Sequence, residues 1–354
     1  MRFFPELMKL NDGTPVDTPQ KMELRKKEIL EIFQKYAYGD MPAPVPVTGK
    51  ILEETGRCCS GTAVYYKIEI TCDFGNGRHF SYPVQLIVPE KAGKKPLLLC
   101  VNFDDAIPHE YIPSEEVVDN AFALAVLYFK DVTNDDPDFT DKLAAFYPRT
   151  GSGHDPAKIS LWAWSASRAL DYLLTRDDID EGHVGVIGHS RLGKTALWCA
   201  ANDIRFRYVC SNDSGCMGAA YARSWVEGAE STASIAKVFP YWFCENFQAV
   251  ANDPAAMPFD QHMLLAAIAP RYLLVNSASK DAWAGPASEQ DACVGASPAW
   301  QVYERKTGYQ GKSTYYDANE GNIKGELGYY KRYGVHFLGR KDWLNFMEFI
   351  NNHY

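Results

Sequence analysis

A serine at position 190 stands between a short apolar run and a segment with the composition of a helix. Residues Val184 to Ile187 predict a buried strand, Gly188 ends it, and Lys194 to Ala201 predict a helix. A serine on such a sharp strand-to-helix turn presents its hydroxyl to solvent, in the arrangement called a nucleophile elbow. The usual pattern is Gly-x-Ser-x-Gly, and here the second glycine is displaced by one, to Gly193. Ser190 is therefore the candidate nucleophile.

A serine hydroxyl needs a base to take its proton and an acid to orient that base. In α/β-hydrolases the chain order is serine, acid, histidine, and three histidines follow Ser190. His353 lies one residue from the chain end, and His262 lies at a predicted helix start, where a buried structural role is the alternative. His336 lies between a predicted strand and the amphipathic helix predicted at Lys341 to Ile350. His336 is therefore the preferred base.

Two aspartates compete to be the acid that orients this histidine. Asp281 follows the strand predicted at Tyr272 to Asn276, and Asp213 follows the preceding predicted strand. Aspartate is common in loops because it forms turns, so both have a structural alternative. We favour Asp281 and keep Asp213 as the alternative acid.

An acyl-transfer site also needs donors aimed at the negative charge that develops on the substrate. The backbone N–H of Arg191, directly after the candidate nucleophile, is one such donor. Its guanidinium offers a fixed positive charge at the same place, with a surface salt bridge as the alternative role. The loop at residues 102–104 is a further source of donors.

The surrounding elements predict a sheet with an antiparallel start and a parallel core. A surface helix is predicted within Thr18 to Tyr36, and a proline-rich connector follows at Met41 to Val47. The segments Thr62 to Thr71 and His79 to Val88 alternate in hydrophobicity and predict a hairpin. Five strands, apolar along their length and alternating with helices, then imply a parallel sheet covered on both faces. They are predicted at Pro96 to Phe103, Ala121 to Phe129, Val184 to Ile187, Tyr208 to Ser211 and Tyr272 to Asn276.

This order is the plan of the α/β-hydrolase fold, with a mainly parallel central sheet, helices on both faces and an antiparallel N-terminal start. We predict a single domain over residues 1–354, in which residues 1–50 form the N-terminal helix and extended connector. Insertions are predicted at 104–118, 130–156 and 217–262, and the last of these is a candidate cap over the site.

The composition narrows the class of protein further. The 354 residues are 46% hydrophobic, carry a net charge of -9 and lack a run of basic residues, which disfavours nucleic acid as a partner. No stretch approaches the roughly 20 apolar residues that cross a bilayer, so no membrane association is expected. The nine cysteines indicate a reduced compartment, and the start of the chain lacks a secretory pattern. We therefore predict a cytoplasmic protein, with secretion as the alternative if a leader has been removed.

Several separated motifs resemble the glucuronoyl esterases, carbohydrate esterase family 15, and in particular their bacterial branch. The elbow Gly-His-Ser190-Arg191-Leu-Gly193-Lys194 resembles the family motif Gly-Cys/His-Ser-Arg-x-Gly-Lys, which accounts for the displaced glycine. Other similar segments are Asn212-Asp213-Ser-Gly215, Pro240-Tyr-Trp242-Phe243, Asp281-Ala-Trp283 and Gly334-Val-His336. The resemblance covers roughly residues 96–349.

The resemblance implies a serine carboxylesterase that forms a covalent acyl-enzyme on esters of glucuronic acid, such as those joining xylan to lignin. It implies no metal and no cofactor. Many members have Glu where this chain has the shorter Asp213, which supports Asp281 as the acid. The residues that the resemblance assigns are Ser190 as nucleophile, His336 as base, Arg191 as oxyanion stabiliser, and Lys194, Trp283 and Glu230 as sugar contacts.

Two other functions stay open at this point. An acetyl xylan esterase, or another small-acyl carbohydrate esterase of the same fold, would have a small acyl pocket, whereas Lys194, Arg191 and Trp283 favour a bulky polar acyl group. A non-catalytic carbohydrate-binding member would have lost turnover, and the intact Ser190 and His336 argue against it. The expected partner is a small-molecule or carbohydrate ester, and the oligomeric state is left open.

Overall fold

The computed structural model describes residues 4–223 and 226–354. The strands are β1 (Val47–Cys58), β2 (Ala63–Asp73), β3 (His79–Pro89), β4 (Lys95–Asn102), β5 (Ala123–Tyr128), β6 (Ile179–His189), β7 (Tyr208–Asn212), β8 (Tyr272–Ala278), β9 (Glu320–Asn322) and β10 (Leu327–Arg332). The helices are α1 (Pro19–Phe33), α2 (Ser114–Asp119), α3 (Phe129–Val132), α4 (Lys158–Leu173), α5 (Arg191–Asn202), α6 (Thr232–Val238), α7 (Glu245–Val250), α8 (Gln261–Ala266), α9 (Pro286–Ala296), α10 (Pro298–Gln301) and α11 (Arg340–Asn351).

One sheet contains the strands of the described residues, in the order β1-β2-β3-β5-β4-β6-β7-β8-β10-β9. Strands β1, β2 and β3 pair antiparallel, and β3 also pairs antiparallel with β5. The neighbouring strands in the run β5-β4-β6-β7-β8-β10 pair parallel. Strand β9 forms the far edge of the sheet and pairs antiparallel with β10. The predicted antiparallel start and parallel core are both present. Because β6, β7, β8 and β10 are adjacent and parallel, their carboxyl ends meet along one edge of the sheet.

Both faces of the sheet are covered by helices. In β4, Leu97 and Leu99 join a buried cluster with residues of α4 and α5, whereas Leu98 and Cys100 join a second cluster with residues of α2 and α11. Side chains of a strand alternate between its two faces, so a strand between two layers of helices must be apolar throughout. This packing explains the continuous apolar runs on which the strand predictions depend.

The sequence analysis missed β1, the first edge of the sheet. The predicted connector ends at Val47, which is where β1 begins. Most side chains of β1 are exposed, and charged residues occupy both of its faces. An edge strand exposed on both sides needs no apolar alternation, so the pattern on which strand prediction depends is absent there.

Helix α4 crosses the interior between the sheet and the N-terminal part of the chain. It is 16 residues long, and nearly all of its side chains are buried. Among the described residues, none of the helices combines the length and the apolar character that a membrane span requires.

Candidate active site

The turn between β6 and α5 holds Ser190 in a strained conformation. Its φ of 57° and ψ of -126° lie outside the regions that residues with a side chain normally occupy. The turn is held because the Ser190 N–H donates to the Asn212 carbonyl at 2.9 Å, while the Gly193 and Lys194 N–H groups donate to the Ser190 carbonyl. A Cβ atom at Gly188 would lie 2.0 Å from a carbonyl oxygen of α5, so the helix can follow the strand this closely only at a glycine. This is the geometry of a nucleophile elbow.

The displaced glycine of the motif has a packing reason. A Cβ atom at Gly193 would lie 3.0 Å from the Ser214 Cβ and 3.1 Å from the Asn212 carbonyl oxygen. Helix α5 therefore rests directly on the end of β7 and the loop after it, and a larger residue at this position would need its neighbours to shift by a few tenths of an ångström. Arg191, two positions before this glycine, and Lys194, directly after it, both line the cavity above the serine.

His336 and Asp281 come together from two neighbouring strand ends. The Nδ1 atom of His336 lies 2.5 Å from Oδ2 of Asp281, whose other carboxylate oxygen accepts the Ala284 N–H at 3.2 Å. Asp281 is buried, and His336 lines the same cavity as Ser190. With Nδ1 bound to the carboxylate, Nε2 is the nitrogen left to take a proton from a serine.

Asp213, the alternative acid, occupies a different environment. Its Oδ2 atom accepts from Nη2 of Arg332 and from the Phe337 N–H, both at 3.3 Å, and its Oδ1 atom is buried with no partner in residues 4–223 and 226–354. Burial, reinforced by the nearby acids Glu289 and Asp342, raises the pKa of Asp213 well above its usual value. Asp213 is thus engaged by Arg332 and the Phe337 N–H, whereas the Nδ1 atom of His336 is bound to Asp281.

His189, which sequence reasoning passed over, packs against the candidate base. Its ring centroid lies 4.4 Å from that of His336, and its Nδ1 atom lies 2.9 Å from Oδ1 of Asn212. Burial and the neighbouring His336 lower the pKa of His189 to about 3. It is therefore a neutral ring supporting His336. His189 belongs to the serine motif, but His336, against which it packs, lies 147 positions away in the chain, so the sequence gives no sign of the contact.

One group of side chains has donor atoms near enough for a cation. Ring nitrogens of His189 and His336 and a carboxylate oxygen of Asp213 lie within 4.8 Å of one another in the described part of the chain. The Nδ1 atoms of both histidines already have partners, Asn212 and Asp281. A metal here would also compete with the proton that the base must carry, so the group fits proton transfer better.

Arg191 extends from the elbow into a polar and aromatic surrounding. Its Nη1 atom donates to Oδ2 of Asp135, and the Trp242 Nε1–H donates to Oδ1 of the same carboxylate at 2.6 Å. The guanidinium carbon lies 4.6 Å from a Trp242 ring centroid. The sequence analysis weighed a salt bridge against a role at the oxyanion, and the structure shows an ion pair on a side chain that also lines the cavity.

The cavity above Ser190 has a volume of about 220 Å³. Its wall contains Lys194, whose Nζ donates to the Ser214 carbonyl at 2.6 Å and is buried, so it is not a solvated helix residue. Burial lowers the pKa of Lys194 and raises that of Glu230. The negative charge of Glu230 partly offsets the lowered pKa of Lys194, and the positive charge of Lys194 partly offsets the raised pKa of Glu230. Trp283 is 53% exposed and also lines the cavity. The sequence-predicted residues that line it are Ser190, Arg191, Lys194, Asp213, Glu230, Trp283 and His336, with Asp281 behind His336.

The candidate cap contributes to this wall. Segment 217–262 carries α6 and α7, and Glu230, Phe239 and Trp242 belong to it. Its residues 224–225 lie outside the described part of the chain. Whether the segment acts as a cap stays a prediction.

A buried glutamate below the cavity connects two of its loops. Glu289 of α9 accepts the Gly215 N–H at 2.9 Å through Oε1 and the Ser277 hydroxyl at 2.5 Å through Oε2. Gly215 follows β7 and lines the cavity, and Ser277 lies in β8 shortly before Asp281. Burial raises the pKa of Glu289 to about 7.

This glutamate should make the stability of the protein depend on pH. A carboxyl whose pKa is higher in the folded state stabilises the fold fully below its unfolded pKa, and that contribution is lost as the pH rises through about 7. The stability of wild type minus that of Glu289→Gln should therefore fall between pH 5 and pH 8, by about 1 to 3 kcal/mol. Urea unfolding at both pH values measures it. The exposed Glu304→Gln is the control, and an unchanged difference for Glu289→Gln would contradict the assignment.

The fold and the Ser-His-Asp arrangement define an α/β-hydrolase of the serine hydrolase class. The sequence model of the family described as glucuronyl esterase, fungi, matches residues 70–305, and the chain belongs to this family. The resemblance inferred from the motifs is confirmed, as is the fold class.

Individual relatives match most or all of this chain. The carbohydrate esterase MZ0003 from an unknown prokaryotic organism is 29% identical, over 99% of this chain and 89% of that protein. The 4-O-methyl-glucuronoyl methylesterase of Hypocrea jecorina is 28% identical, over 84% of this chain and 61% of that protein. The structure of the glucuronoyl esterase from Solibacter usitatus superposes with a TM-score of 0.90 at 28% identity, over 100% of this chain and 98% of that one.

Proposed function

We propose that the protein is a carboxylesterase that hydrolyses esters of glucuronic acid through a covalent acyl-enzyme. The observation that carries the proposal is the single cavity in which Ser190, His336 and the buried Lys194 and Glu230 meet. Family membership and relatives named glucuronoyl esterase and 4-O-methyl-glucuronoyl methylesterase support it. The substrate is a carbohydrate or small-molecule ester.

The reaction begins with attack of the Ser190 hydroxyl on the ester carbonyl. His336 takes the hydroxyl proton on Nε2, and the buried Asp281 carboxylate stabilises the imidazolium through Nδ1. As the tetrahedral intermediate collapses, His336 gives the proton to the alcohol, which leaves. Water, activated by the same histidine, then releases glucuronate from the serine.

The oxyanion of the intermediate requires donors that are already in place. Arg191 is the first residue of α5, so its backbone N–H has no acceptor within the helix. Its guanidinium adds a positive charge that persists at any working pH. Both groups directly follow the nucleophile, and both stabilise negative charge that develops only after attack.

The sugar ring is held by groups that match its chemistry. Lys194 and Glu230 offer a buried donor and a buried acceptor for ring hydroxyls, and the exposed indole of Trp283 offers an apolar face at the cavity wall. A small acyl group would leave the remaining hydrogen-bonding capacity of these buried groups unused, which costs about 1–3 kcal/mol per group. The cavity therefore favours a glucuronoyl over an acetyl ester.

A comparison of esters tests the proposal. The value of kcat/KM for benzyl glucuronate should exceed that for an acetylated xylose and for p-nitrophenyl acetate by roughly tenfold to a hundredfold, from the one or two polar contacts that only the uronate makes. The exposed Trp283→Ala should lower kcat/KM for the glucuronate ester and leave that for p-nitrophenyl acetate unchanged. Preference for the acetates would favour a small-acyl esterase, and binding without turnover of any ester would favour a non-catalytic carbohydrate-binding protein.

A further inference from the structure

We propose that Asp135 is a positioning residue for the esterase reaction, holding Arg191 and Trp242 together so that the Arg191 guanidinium is directed at the ester oxygen. The inference rests on the proposed function and extends it to a residue outside the triad and the sugar contacts. Asp135 lies in the segment between α3 and α4, far along the chain from both of its partners.

Asp135 divides its carboxylate between two donors. Oδ2 accepts from Nη1 of Arg191, and Oδ1 accepts the Trp242 Nε1–H at 2.6 Å. The Asp135 side chain is only 10% exposed, so water competes weakly for either oxygen. One buried carboxylate therefore sets the distance between the guanidinium and the indole.

Aromatic rings limit the remaining freedom of the guanidinium. Its carbon lies 4.6 Å from a Trp242 ring centroid, 5.3 Å from that of Phe103 and 5.6 Å from that of Phe239. Trp242 is itself stacked on Phe239, at 3.8 Å between centroids and an interplanar angle of 1°. Because the Trp242 N–H is bound to Asp135, the ring cannot turn without breaking that hydrogen bond.

This arrangement leaves one buried donor of Arg191 unused. Its Nε atom is buried and has no hydrogen-bond partner among the described residues. Arg191 follows Ser190 directly and lines the same cavity, so the oxygen of a bound ester is a suitable acceptor. Because Nε is closed off and one Nη1 N–H is held by Asp135, the remaining N–H groups of the guanidinium are the donors for that oxygen.

An effect through Arg191 has a kinetic signature. The oxyanion carries its full charge only in the transition state, so a misdirected donor lowers kcat and leaves KM nearly unchanged. Loss of one oxyanion donor typically lowers kcat by about 10² to 10³. We expect Asp135→Asn to lower kcat for benzyl glucuronate by about tenfold to a hundredfold, because Asn retains one acceptor and loses the ion pair.

A double-mutant cycle tests the proposal. In an Arg191→Met background, Asp135→Asn should change kcat by less than about twofold, because the group through which it acts is absent. Trp242→Phe keeps an aromatic side chain, smaller than the indole, and removes the N–H, so it should lower kcat in the wild-type background only. Asp138→Asn, at an exposed carboxylate of the same loop that accepts from Thr140, is the matched control and should leave kcat and KM unchanged.

Two outcomes would overturn the proposal: an equal loss of kcat from Asp135→Asn in both backgrounds, or a higher KM with unchanged kcat. Thermal unfolding of each variant identifies those that fold, and if Asp135→Asn does not fold, Trp242→Phe in the two backgrounds decides. The wild-type rate on benzyl glucuronate tests the proposed function separately. If the wild type prefers another ester, the cycle is run on that ester.

Discussion

Replacing Ser190 with alanine should abolish ester hydrolysis, lowering kcat by a factor on the order of 10⁴ or more, and should leave the fold intact. The variant loses the only group that we place in direct attack on the carbonyl. The Ser190 side chain does not cap α5, so its removal costs the helix no capping bond. Alanine is as strained as serine at a φ of 57°, so the elbow loses no backbone preference either.

Two measurements separate loss of the nucleophile from loss of structure. Thermal unfolding of Ser190→Ala should match the wild type, and a fluorophosphonate probe should label the wild type at one equivalent and leave the variant unlabelled. Turnover by the folded variant within a hundredfold of wild type would show that another group attacks the ester.

The acids should differ strongly when each is changed to asparagine. Asp281→Asn should lower kcat by about 10³ to 10⁴, because the amide cannot stabilise an imidazolium and favours the wrong tautomer of His336. Asp213→Asn should lower kcat by less than about tenfold. The Asp213 carboxylate accepts from Arg332 and the Phe337 N–H, whereas Asp281 is the acid bound to the Nδ1 atom of His336.

To compare the two variants, kcat for benzyl glucuronate is measured for each from pH 6 to pH 9. Asp138→Asn, the same change at an exposed carboxylate outside the triad, controls for the loss of one negative charge. A larger loss from Asp213→Asn than from Asp281→Asn would reverse the assignment of the acid.

The parallel core was predictable from the sequence, whereas the first edge strand was not. In β4 and β8 both faces are buried, so each carries an apolar run typical of a strand between two layers of helices. In β1 most side chains on both faces are exposed. The strand pairs with β2 through backbone hydrogen bonds, which do not require particular side chains. Strands buried on both faces could therefore be predicted from their apolar runs, whereas the exposed edge strand could not.

The same reasoning separates the site residues that were predicted from those that were missed. Ser190 stands in a local motif, and His336 and Asp281 stand at strand ends that chain order identifies. Asp135 has no such signal, because its neighbourhood indicates only a turn and its partners lie 56 and 107 positions away. The polarity of Glu289 likewise gave no hint that its carboxyl would be buried between two loops. Such contacts exist only after the chain has folded.

The exposed position of His336 determines which half of the ester the enzyme can discriminate. The His336 side chain is 41% exposed, while the groups proposed to hold the sugar line the cavity beside it. Since His336 gives its proton to the departing alcohol, that alcohol lies beside the histidine, towards bulk water. We therefore expect the enzyme to select the alcohol half of the ester less strictly than the glucuronate half. The acidity of the alcohol, rather than its shape, then governs how readily it departs.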